Sequence, residues 1–175
     1  MRTPFLETER LILRPIKEDD VDGIFSCWMQ DEDVSRYMCW KATNDRDEAK
    51  DFVQYEINQI NNDKWNRWLF EEKKSHELIG TGLIFYNEEV ENWDISYNLG
   101  KMYWGTGFVT EAMTEILDYA KKDLGVKECI AIHAKENAAS GNVIKKLGFL
   151  YEKDVPYECN GGEIHTVGKF YRLVL

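Results

Sequence analysis

A glycine-containing turn in the segment YWGTGFVTEA, residues 103–112, constrains the fold of this chain more than any other feature. It follows a stretch with strand character at 93–99 and opens an amphipathic helix predicted over 107–124. The two glycines allow the backbone to curl so that several N–H groups point at one spot, and the helix N-terminus adds a partial positive charge there. The segment therefore predicts a seat for phosphate oxygens between a strand and a helix.

Composition indicates a globular chain and limits its partners. The 175 residues are 43% hydrophobic and 31% charged, which suits a single domain over 1–175. The formal charge of −10 argues against nucleic-acid binding, and it either favours a cationic partner such as an amine or only keeps the surface solvated. No apolar run approaches the roughly 18 residues that span a bilayer, so no membrane partner is expected. The acidic start does not resemble a secretion signal, and a cytoplasmic location is the expectation.

The metal-ligating and thiol side chains are scattered along the chain. Four cysteines and three histidines lie far apart, and no two cysteines form a CxxC pair. This spacing predicts no metal site and no cysteine nucleophile. Each thiol is expected to be a small buried apolar side chain.

Hydrophobic periodicity predicts a mixed order of strands and helices. Strands are predicted over 9–16, 65–72, 77–86, 93–99, 127–134, 149–158 and 163–175. Helices are predicted over 19–29, 45–61, 107–124 and 138–147. Polar turns make the middle three strands an antiparallel meander, and Asn160-Gly161-Gly162 joins the last two strands. The order predicts an α/β (α+β) fold with about four helices on the faces of one mixed sheet.

Three motifs resemble those of the GNAT superfamily of acetyl-CoA-dependent N-acetyltransferases, and within it the RimJ/RimL-type branch of ribosomal-protein-alanine acetyltransferases. They are TERLILRP at 8–15, WGTGFVTEA at 104–112, and NAASGNV at 137–143 followed by KLGF at 146–149. A glycine pair alone would be weak evidence, whereas three motifs in order at fitting distances are specific. The resemblance covers nearly the whole chain. It implies a mostly antiparallel seven-stranded sheet whose fourth and fifth strands splay apart.

The resemblance also implies acetyl-CoA as the acyl donor, CoA as product, and no metal. Backbone N–H groups of the glycine turn would hold the pyrophosphate, and the edge of the fourth strand would pair with the pantetheine amides. The residues concerned are Tyr97, Leu99, Trp104, Gly105, Thr106, Gly107, Phe108, Val109, Thr110, Asn137 and Ser140. By sequence alone, Asn137 is better suited to cap the helix that it precedes.

Three positions depart from the superfamily's pattern. Trp104 stands at the first position of the pyrophosphate motif, where Arg or Gln is general although tryptophan is ordinary for this branch, and Val109 stands at the last position, where Gly or Ala is usual. Ile144 stands where many members have a tyrosine that acts as general acid, so a tyrosine acid at that position is excluded. On the resemblance to the ribosomal-protein branch, Ser140 is a candidate to protonate the leaving thiolate. Its alternative role is that of a small residue which lets the donor pass.

The base that accepts the amine proton is less well specified. A primary amine is mostly protonated at neutral pH, so its attack on a thioester benefits from a carboxylate or a water chain to one. Asp94 on the fourth strand is one candidate, and Glu72 and Glu77 are others. His133 has a pKa suited to proton shuttling and lies beside the expected splay. For each of the four, a structural or surface role is the favoured alternative.

The acceptor pocket is expected near the first two helices, where Trp28, Tyr37, Met38 and Trp40 cluster, although these side chains also suit the core. The acceptor is predicted to be a protein N-terminus, a polyamine, an amino sugar or another small amine that attacks directly in a ternary complex. The protein is expected to be a monomer or a homodimer. The alternative is a CoA-binding sensor that has lost turnover. A nucleotide-binding domain is disfavoured because no GK[ST] follows the glycines.

Overall fold

The computed structural model describes residues 3–175 and contains one mixed sheet with helices on both of its faces. The strands are β1 (Leu6–Glu7), β2 (Leu11–Arg14), β3 (Trp65–Glu72), β4 (Leu78–Asn87), β5 (Asn92–Leu99), β6 (Glu128–Ala134), β7 (Leu150–Cys159) and β8 (Ile164–Val174). The α-helices are α1 (Val21–Ile24), α2 (Glu32–Ser35), α3 (Arg46–Gln59), α4 (Phe108–Lys122) and α5 (Ala138–Lys146).

The sheet opens between β5 and β6. Its strand order is β1-β2-β3-β4-β5-β6-β8-β7, and every neighbouring pair is antiparallel except β5 and β6. The parallel pair holds register only at Trp93 with Cys129 and at Asp94 with Ile130, and the two strands separate beyond these residues. The predicted splay between the strands at 93–99 and 127–134, which are β5 and β6, is thus confirmed, and a gap lies in the middle of the sheet.

Two hydrophobic layers cover the two faces of the sheet. On one face α4 packs through Met113 and Ile116 against a core that includes Trp68 of β3, and all three side chains are fully buried. On the other face α1 and α3 cover a smaller core through Ile24 and Val53. Side chains alternate between the two faces along a strand. Those of β5 that line the gap therefore point in turn toward the core under α4 and toward the core under α1 and α3.

The predicted elements differ from the observed ones mainly in short segments. The structure has eight strands rather than seven, because Leu6–Glu7 pairs with β2, and a two-residue strand carries no readable alternation. The helix α2 was also missed; it is a single turn whose N-cap is Asp31, and one turn cannot display a helical period. The first predicted helix changes to π-helical geometry over residues 25–29. The long elements agree with their predicted bounds to within one or two residues.

Candidate active site

The edge of β5 presents unpaired backbone groups to the gap. Gly100 N–H donates to the carbonyl of Ile79 in β4 at 2.8 Å. In an antiparallel pair the direction of the backbone groups alternates, so those of Leu99 and Tyr97 point away from β4, toward the space that β6 has left. Trp104 closes the end of this edge, because its indole N–H donates to the carbonyl of Leu99 at 2.9 Å. An extended ligand that carries amides can add along such an edge as a strand.

The glycine turn lies at the end of β5 and leads into α4. Gly105 and Gly107 have φ angles of +77° and +82°, a left-handed conformation that costs other residues strain. Gly107 is the N-cap of α4, and no side chain caps the helix there. The N–H groups of Val109 and Thr110, in the first turn, have no earlier carbonyl of the helix to bond. A Cβ atom added at Gly105 would meet nothing within 4 Å, so this surface has room for an anion.

Arg10 lies against the glycine turn, and sequence analysis did not single it out. Its Nη1 donates to the carbonyl of Thr106 at 3.0 Å, and its guanidinium lies 4.3 Å from the ring centroid of Phe108. Its Nε donates to Glu111 Oε2 at 2.6 Å, while Thr8 Oγ1 donates to Glu111 Oε1 at 2.6 Å. These residues belong to the motifs at 8–15 and 104–112, which the sequence does identify, but only the fold shows that the two motifs are in contact.

Glu111 is held ionised in this cluster. Burial by itself raises the pKa of its carboxyl, but hydrogen bonds from Thr8 and from Arg10 outweigh that effect, and the pKa lies below its ordinary value. These contacts make Glu111 a structural carboxylate at the helix N-terminus. The guanidinium of Arg10 adds a positive charge beside the turn.

Tyr97 and Ser140 meet across the gap. The phenol oxygen of Tyr97, from β5, lies 2.8 Å from Ser140 Oγ at the start of α5, and the Ser140 carbonyl, at 3.2 Å, is a second acceptor within reach of the phenol hydrogen. Burial raises the pKa of Tyr97, so its hydroxyl stays protonated at neutral pH. Asn137 Oδ1 accepts from the backbone N–H of Ser140 at 3.2 Å, which is the capping role that the sequence alone favoured. Ile144, one turn later, is buried in the core and offers no proton.

His133 is a hydrogen-bonded histidine packed under α5. Its Nδ1 pairs with the carbonyl of Ala134 at 2.7 Å, and its Nε2 pairs with the hydroxyl of Tyr171 at 3.2 Å. A Cβ atom added at Gly141 would lie 2.8 Å from the imidazole ring, so α5 sits directly on it. Burial lowers the pKa of His133, which favours the neutral ring. Because both nitrogens already have partners, we do not retain His133 as a proton shuttle.

Asp94 is a buried carboxylate at the point where the gap begins. It forms the last register pair with β6, and strand alternation places it on the sheet face opposite to that of Tyr97. Its oxygens accept from the Asn87 side-chain amide at 3.2 Å and from the Ile95 backbone N–H at 2.8 Å. Burial raises the pKa of Asp94 to about 6. A carboxyl with such a pKa is ionised at neutral pH yet basic enough to accept a proton.

The two glutamates proposed as alternative bases lie elsewhere. Glu72 accepts from the hydroxyl of Ser75 at 2.6 Å, and the exposed Glu77 accepts from the hydroxyl of Tyr103 at 2.7 Å. Both belong to the β3–β4 turn region, at the opposite end of the meander from Asp94. Asp94 is therefore the carboxylate best placed at the gap.

Tyr157, another residue that the sequence did not single out, adds a hydroxyl on the acceptor side. It donates to the carbonyl of Tyr37 at 3.0 Å, and three residues further Asn160 N–H donates to the carbonyl of Met38 at 2.7 Å. Burial, followed by smaller effects of nearby thiols and of Asp94, raises the pKa of Tyr157 to about 12. The β7–β8 hairpin therefore holds the segment after α2 close to the gap.

The aromatic residues expected to line the acceptor pocket divide between wall and core. Trp28 is 2% exposed and lies in the core beneath α1 and α3. Of the two roles that the sequence allowed, pocket wall or core, it therefore has the second. Trp40 packs partly against the same core, and Tyr37 is half-buried beside Tyr157. Asn98 was not expected: it is buried on the same face as Asp94, and its side-chain amide nitrogen has no partner among residues 3–175.

Cys27, Cys129 and Cys159 are poorly suited to nucleophilic catalysis, whereas Cys39 is exposed, contrary to the expectation that each cysteine is buried. Cys129 and Cys159 are buried, and burial raises the pKa of Cys129 to about 12 and that of Cys27 to about 11. A thiol with so high a pKa is almost entirely protonated at neutral pH. Between residues 3 and 175 no group of three or more acidic, histidine or cysteine side chains is arranged to hold a metal ion. Over the same residues no helix is long and apolar enough to cross a membrane.

Comparison with known proteins agrees with this geometry. Residues 10–150 match the sequence model of the acetyltransferase (GNAT) domain. YoaA of Bacillus subtilis, named an uncharacterized N-acetyltransferase, is 30% identical over 90% of this chain and 94% of its own length. The p20 protein of Bacillus licheniformis, described in the same words, is 33% identical over 84% of this chain and 83% of its own.

Solved structures share the fold at low sequence identity. The ribosomal L7/L12 α-N-protein acetyltransferase RimL, in complex with coenzyme A, superposes with a TM-score of 0.85 at 16% identity over 98% of both chains. The ribosomal-protein-S5-alanine acetyltransferase from Vibrio fischeri gives 0.82 at 18% identity, over 98% of this chain and 96% of its own.

A sheet opened beside a glycine turn, together with the match over most of the chain, defines an acyl-transferring enzyme. The chain belongs to the GNAT family and is an acetyltransferase.

Proposed function

We propose that this enzyme transfers an acetyl group from acetyl-CoA to a primary amine by direct attack in a ternary complex. The observation that carries the proposal is the gap between β5 and β6. The glycine turn lies at one end of this gap, and Ser140 and Asp94 lie on opposite faces of the sheet beside it. An acyl donor that enters from the α5 side and an amine that enters from the other side can meet there.

The residues of the chain fit a donor with a diphosphate and an amide-containing arm. The open surface at Gly105 and the free N–H groups of the first turn of α4 suit phosphate oxygens, which helix N-termini bind well. We propose that the backbone from Gly105 to Thr110 holds the diphosphate and that Tyr97 and Leu99 pair with the arm. Trp104 holds the end of the strand edge through the Leu99 carbonyl, and Asn137 caps α5 rather than contacting the donor. When bound, acetyl-CoA supplies the activated acyl group.

Asp94 is proposed as the general base. Its carboxylate faces the side opposite to Tyr97 and Ser140, so it can take a proton from the amine without contacting the leaving thiol. Its pKa of about 6 still lies below neutral pH, so the carboxyl is mostly ionised there, and it is more basic than an exposed aspartate. Ser140 is proposed as the proton donor for the thiolate. The protonated thiols argue for direct attack rather than an acyl-enzyme.

The acceptor is proposed to be a protein N-terminus or a small amine. An open cleft lies between α2 and the tip of the β7–β8 hairpin, and Glu32, Asp33 and Glu163 are among its lining residues, with Arg36 and Lys41 as opposing charges. The acidic chain as a whole attracts cationic amines. Two structural neighbours are named for ribosomal proteins, one of them as an α-N-protein acetyltransferase, which makes a peptide amine a natural first test.

Two measurements test the proposal. Calorimetry measures binding of CoA, and thiol release from acetyl-CoA is followed with peptides, polyamines, amino sugars and simple amines. Transfer that is lost in Asp94→Asn, while CoA binding stays, supports the mechanism. CoA binding without turnover for any amine would instead favour a CoA-binding sensor, and no binding of CoA would overturn the proposal entirely.

A further inference from the structure

The hydroxyl pair formed by Tyr97 and Ser140 spans the gap at the place where the two strands have separated. Tyr97 lies three residues beyond Asp94, the last residue of β5 in register with β6. Its side chain crosses to α5, where its oxygen is 2.8 Å from Ser140 Oγ. A ligand arm that follows the free edge of β5 must pass this hydroxyl pair.

Ser140 needs a second proton source if it is to act as an acid. An aliphatic hydroxyl is a much weaker acid than a thiol, so a serine that gave its proton to a thiolate would be left as an unstable alkoxide. A phenol is a stronger acid than an aliphatic alcohol, and the phenol of Tyr97 is within hydrogen-bond distance of the serine oxygen. Burial raises the pKa of this phenol, so the phenol is protonated at neutral pH, and the same burial makes it a weaker acid than an exposed phenol.

The hydrogen-bond geometry allows the required direction. Tyr97 can donate to Ser140 Oγ at 2.8 Å, which leaves the serine hydrogen free to point into the gap. The alternative acceptor for Tyr97, the Ser140 carbonyl, is more distant at 3.2 Å. Asn137 holds the backbone N–H of Ser140 and so fixes the first turn of α5.

We propose that Tyr97 positions Ser140 and replaces the proton that Ser140 gives to the leaving thiolate, so that the two hydroxyls act as one proton-donating unit. This inference rests on the proposed acetyl transfer. The amine nitrogen forms its bond to the carbonyl carbon, and Asp94 takes the amine proton. The C–S bond breaks with its electron pair on sulfur. Sulfur takes the proton of Ser140, Ser140 takes that of Tyr97, and water reprotonates the phenolate.

The test compares Tyr97→Phe, Ser140→Ala and the double variant in single-turnover acetyl transfer, with CoA affinity measured separately by calorimetry. Phenylalanine keeps the ring and removes only the hydroxyl. We expect Ser140→Ala to slow transfer roughly 100-fold, at the lower end of the usual range for general acid catalysis, and Tyr97→Phe to slow it only roughly tenfold, because Ser140 is still present. The double variant should be no slower than Ser140→Ala, because residues that act as a unit have non-additive effects.

The solvent isotope effect adds a readout that a structural role would not change. In the step that protonates the thiolate, two protons move together in the wild type, so the rate of that step should depend on the deuterium fraction of the solvent along a curve. In Tyr97→Phe only one proton moves in that step, and the dependence should be linear. Tyr151→Phe is the matched control, because this tyrosine donates to Asp154 at 2.7 Å on exposed β7, and its rate should equal that of the wild type.

Three results would overturn the inference. The first is a Tyr97→Phe rate equal to wild type, and the second is a double variant whose defect is the product of the single defects. The third is a Tyr97→Phe variant that loses CoA affinity but keeps its single-turnover rate at saturating donor, because Tyr97 would then only shape the binding site. Failure of the proposed function itself is distinguishable, because the wild type would then release no thiol with any amine.

Discussion

Arg10 Nε donates to Glu111 Oε2 at 2.6 Å, and this ion pair joins the segment before β2 to the first turn of α4. The same guanidinium donates to the carbonyl of Thr106, inside the glycine turn. One side chain thus fixes the turn from outside while its positive charge stays beside the proposed diphosphate seat. The contact connects two of the three motifs that the sequence analysis found separately.

Replacing Arg10 with alanine should weaken CoA binding. An exposed ion pair, such as that between this guanidinium and a bound diphosphate, contributes about 0.2–1 kcal/mol, which corresponds to roughly a 1.4- to fivefold rise in Kd. Arg10→Lys should restore little, because an ammonium cannot contact Glu111 and Thr106 at once as a planar guanidinium does. Calorimetry with CoA measures the effect, and Arg46→Ala, which removes a guanidinium from an exposed pair with Asp22, is the control. Equal affinities for wild type and Arg10→Ala would contradict the prediction.

Asp94 should produce an acidic limb in the pH dependence of kcat/KM near pH 6, because the carboxylate is the active form and burial raises its pKa to about 6. The acceptor amine ionises identically in assays of the wild type and of Asp94→Asn. The ratio of their kcat/KM values therefore reports the ionisation of Asp94 alone. The ratio should rise with pH up to about 7 and then level off. A ratio that does not change with pH would exclude Asp94 as the base.

The same carboxyl should make the protein less stable as pH rises through its titration range. Its pKa in the folded state lies above its ordinary value of 3.8, so the folded protein binds the proton more tightly than the unfolded chain. The contribution of this carboxyl to the free energy of unfolding is therefore fully present below about pH 4. It is lost as the pH rises to about 6, and the loss is on the order of 3 kcal/mol. Asp94→Asn should remove this dependence in urea unfolding measured across that range.

Replacing Gly107 with alanine should weaken CoA binding more than it affects folding. Its φ of +82° strains an L-residue by about 1–2 kcal/mol. Relief of that strain would turn the N–H groups away from the diphosphate, and Kd should rise roughly tenfold. Gly125→Ala is the matched control, because Gly125 has a φ of +69° and lies beyond the far end of α4. A Cβ at Gly125 would meet nothing within 4 Å, and one at Gly107 would make only an ordinary contact with Arg10 Nη2 at 3.6 Å. We expect the two variants to lose similar amounts of stability, and only Gly107→Ala to lose affinity for CoA. Equal CoA affinities of the two variants would refute the role of the turn.

Glu56 and Arg67 form a buried ion pair whose loss should destabilise the fold. Arg67 Nε and Glu56 Oε1 are 2.8 Å apart, with side chains 14% and 2% exposed, and Trp65 Nε1 donates to Glu56 Oε2 at 2.9 Å. Glu56→Ala leaves the guanidinium buried without its partner, which typically costs about 3–5 kcal/mol. Urea unfolding should show this loss, while Glu88→Ala, which breaks an exposed pair with Lys64, should change little. Equal effects of the two substitutions would contradict the assignment.

Much of the fold follows from local patterns in the chain. The bounds of β3 agree with the predicted 65–72, because alternating buried side chains between polar turns leave little freedom. The helix α4 was anticipated because its buried face recurs at helical spacing and its entry is a glycine turn. The two-residue β1 and the single-turn α2 were missed because neither is long enough to repeat a pattern.

The candidate site divides in the same way. The glycine turn, Asp94 and Ser140 were identifiable from their motifs or from their positions on predicted elements. The contact of Tyr97 with Ser140, the approach of Arg10 to the turn, and the position of Tyr157 were not, because each joins residues 43 or more positions apart. His133 shows the converse: its spacing suggested proton transfer, whereas packing gave both of its nitrogens internal partners.

The amino-acid sequence by itself determined the glycine turn, the long helices and strands and the acidic charge, since these depend on residue type and on short-range periodicity. Tertiary structure alone decided where β5 and β6 part, which hydroxyl reaches Ser140 and how deeply Asp94 is buried. Those features depend on the register of distant strands and on desolvation, and neither quantity is encoded in any single segment of the chain.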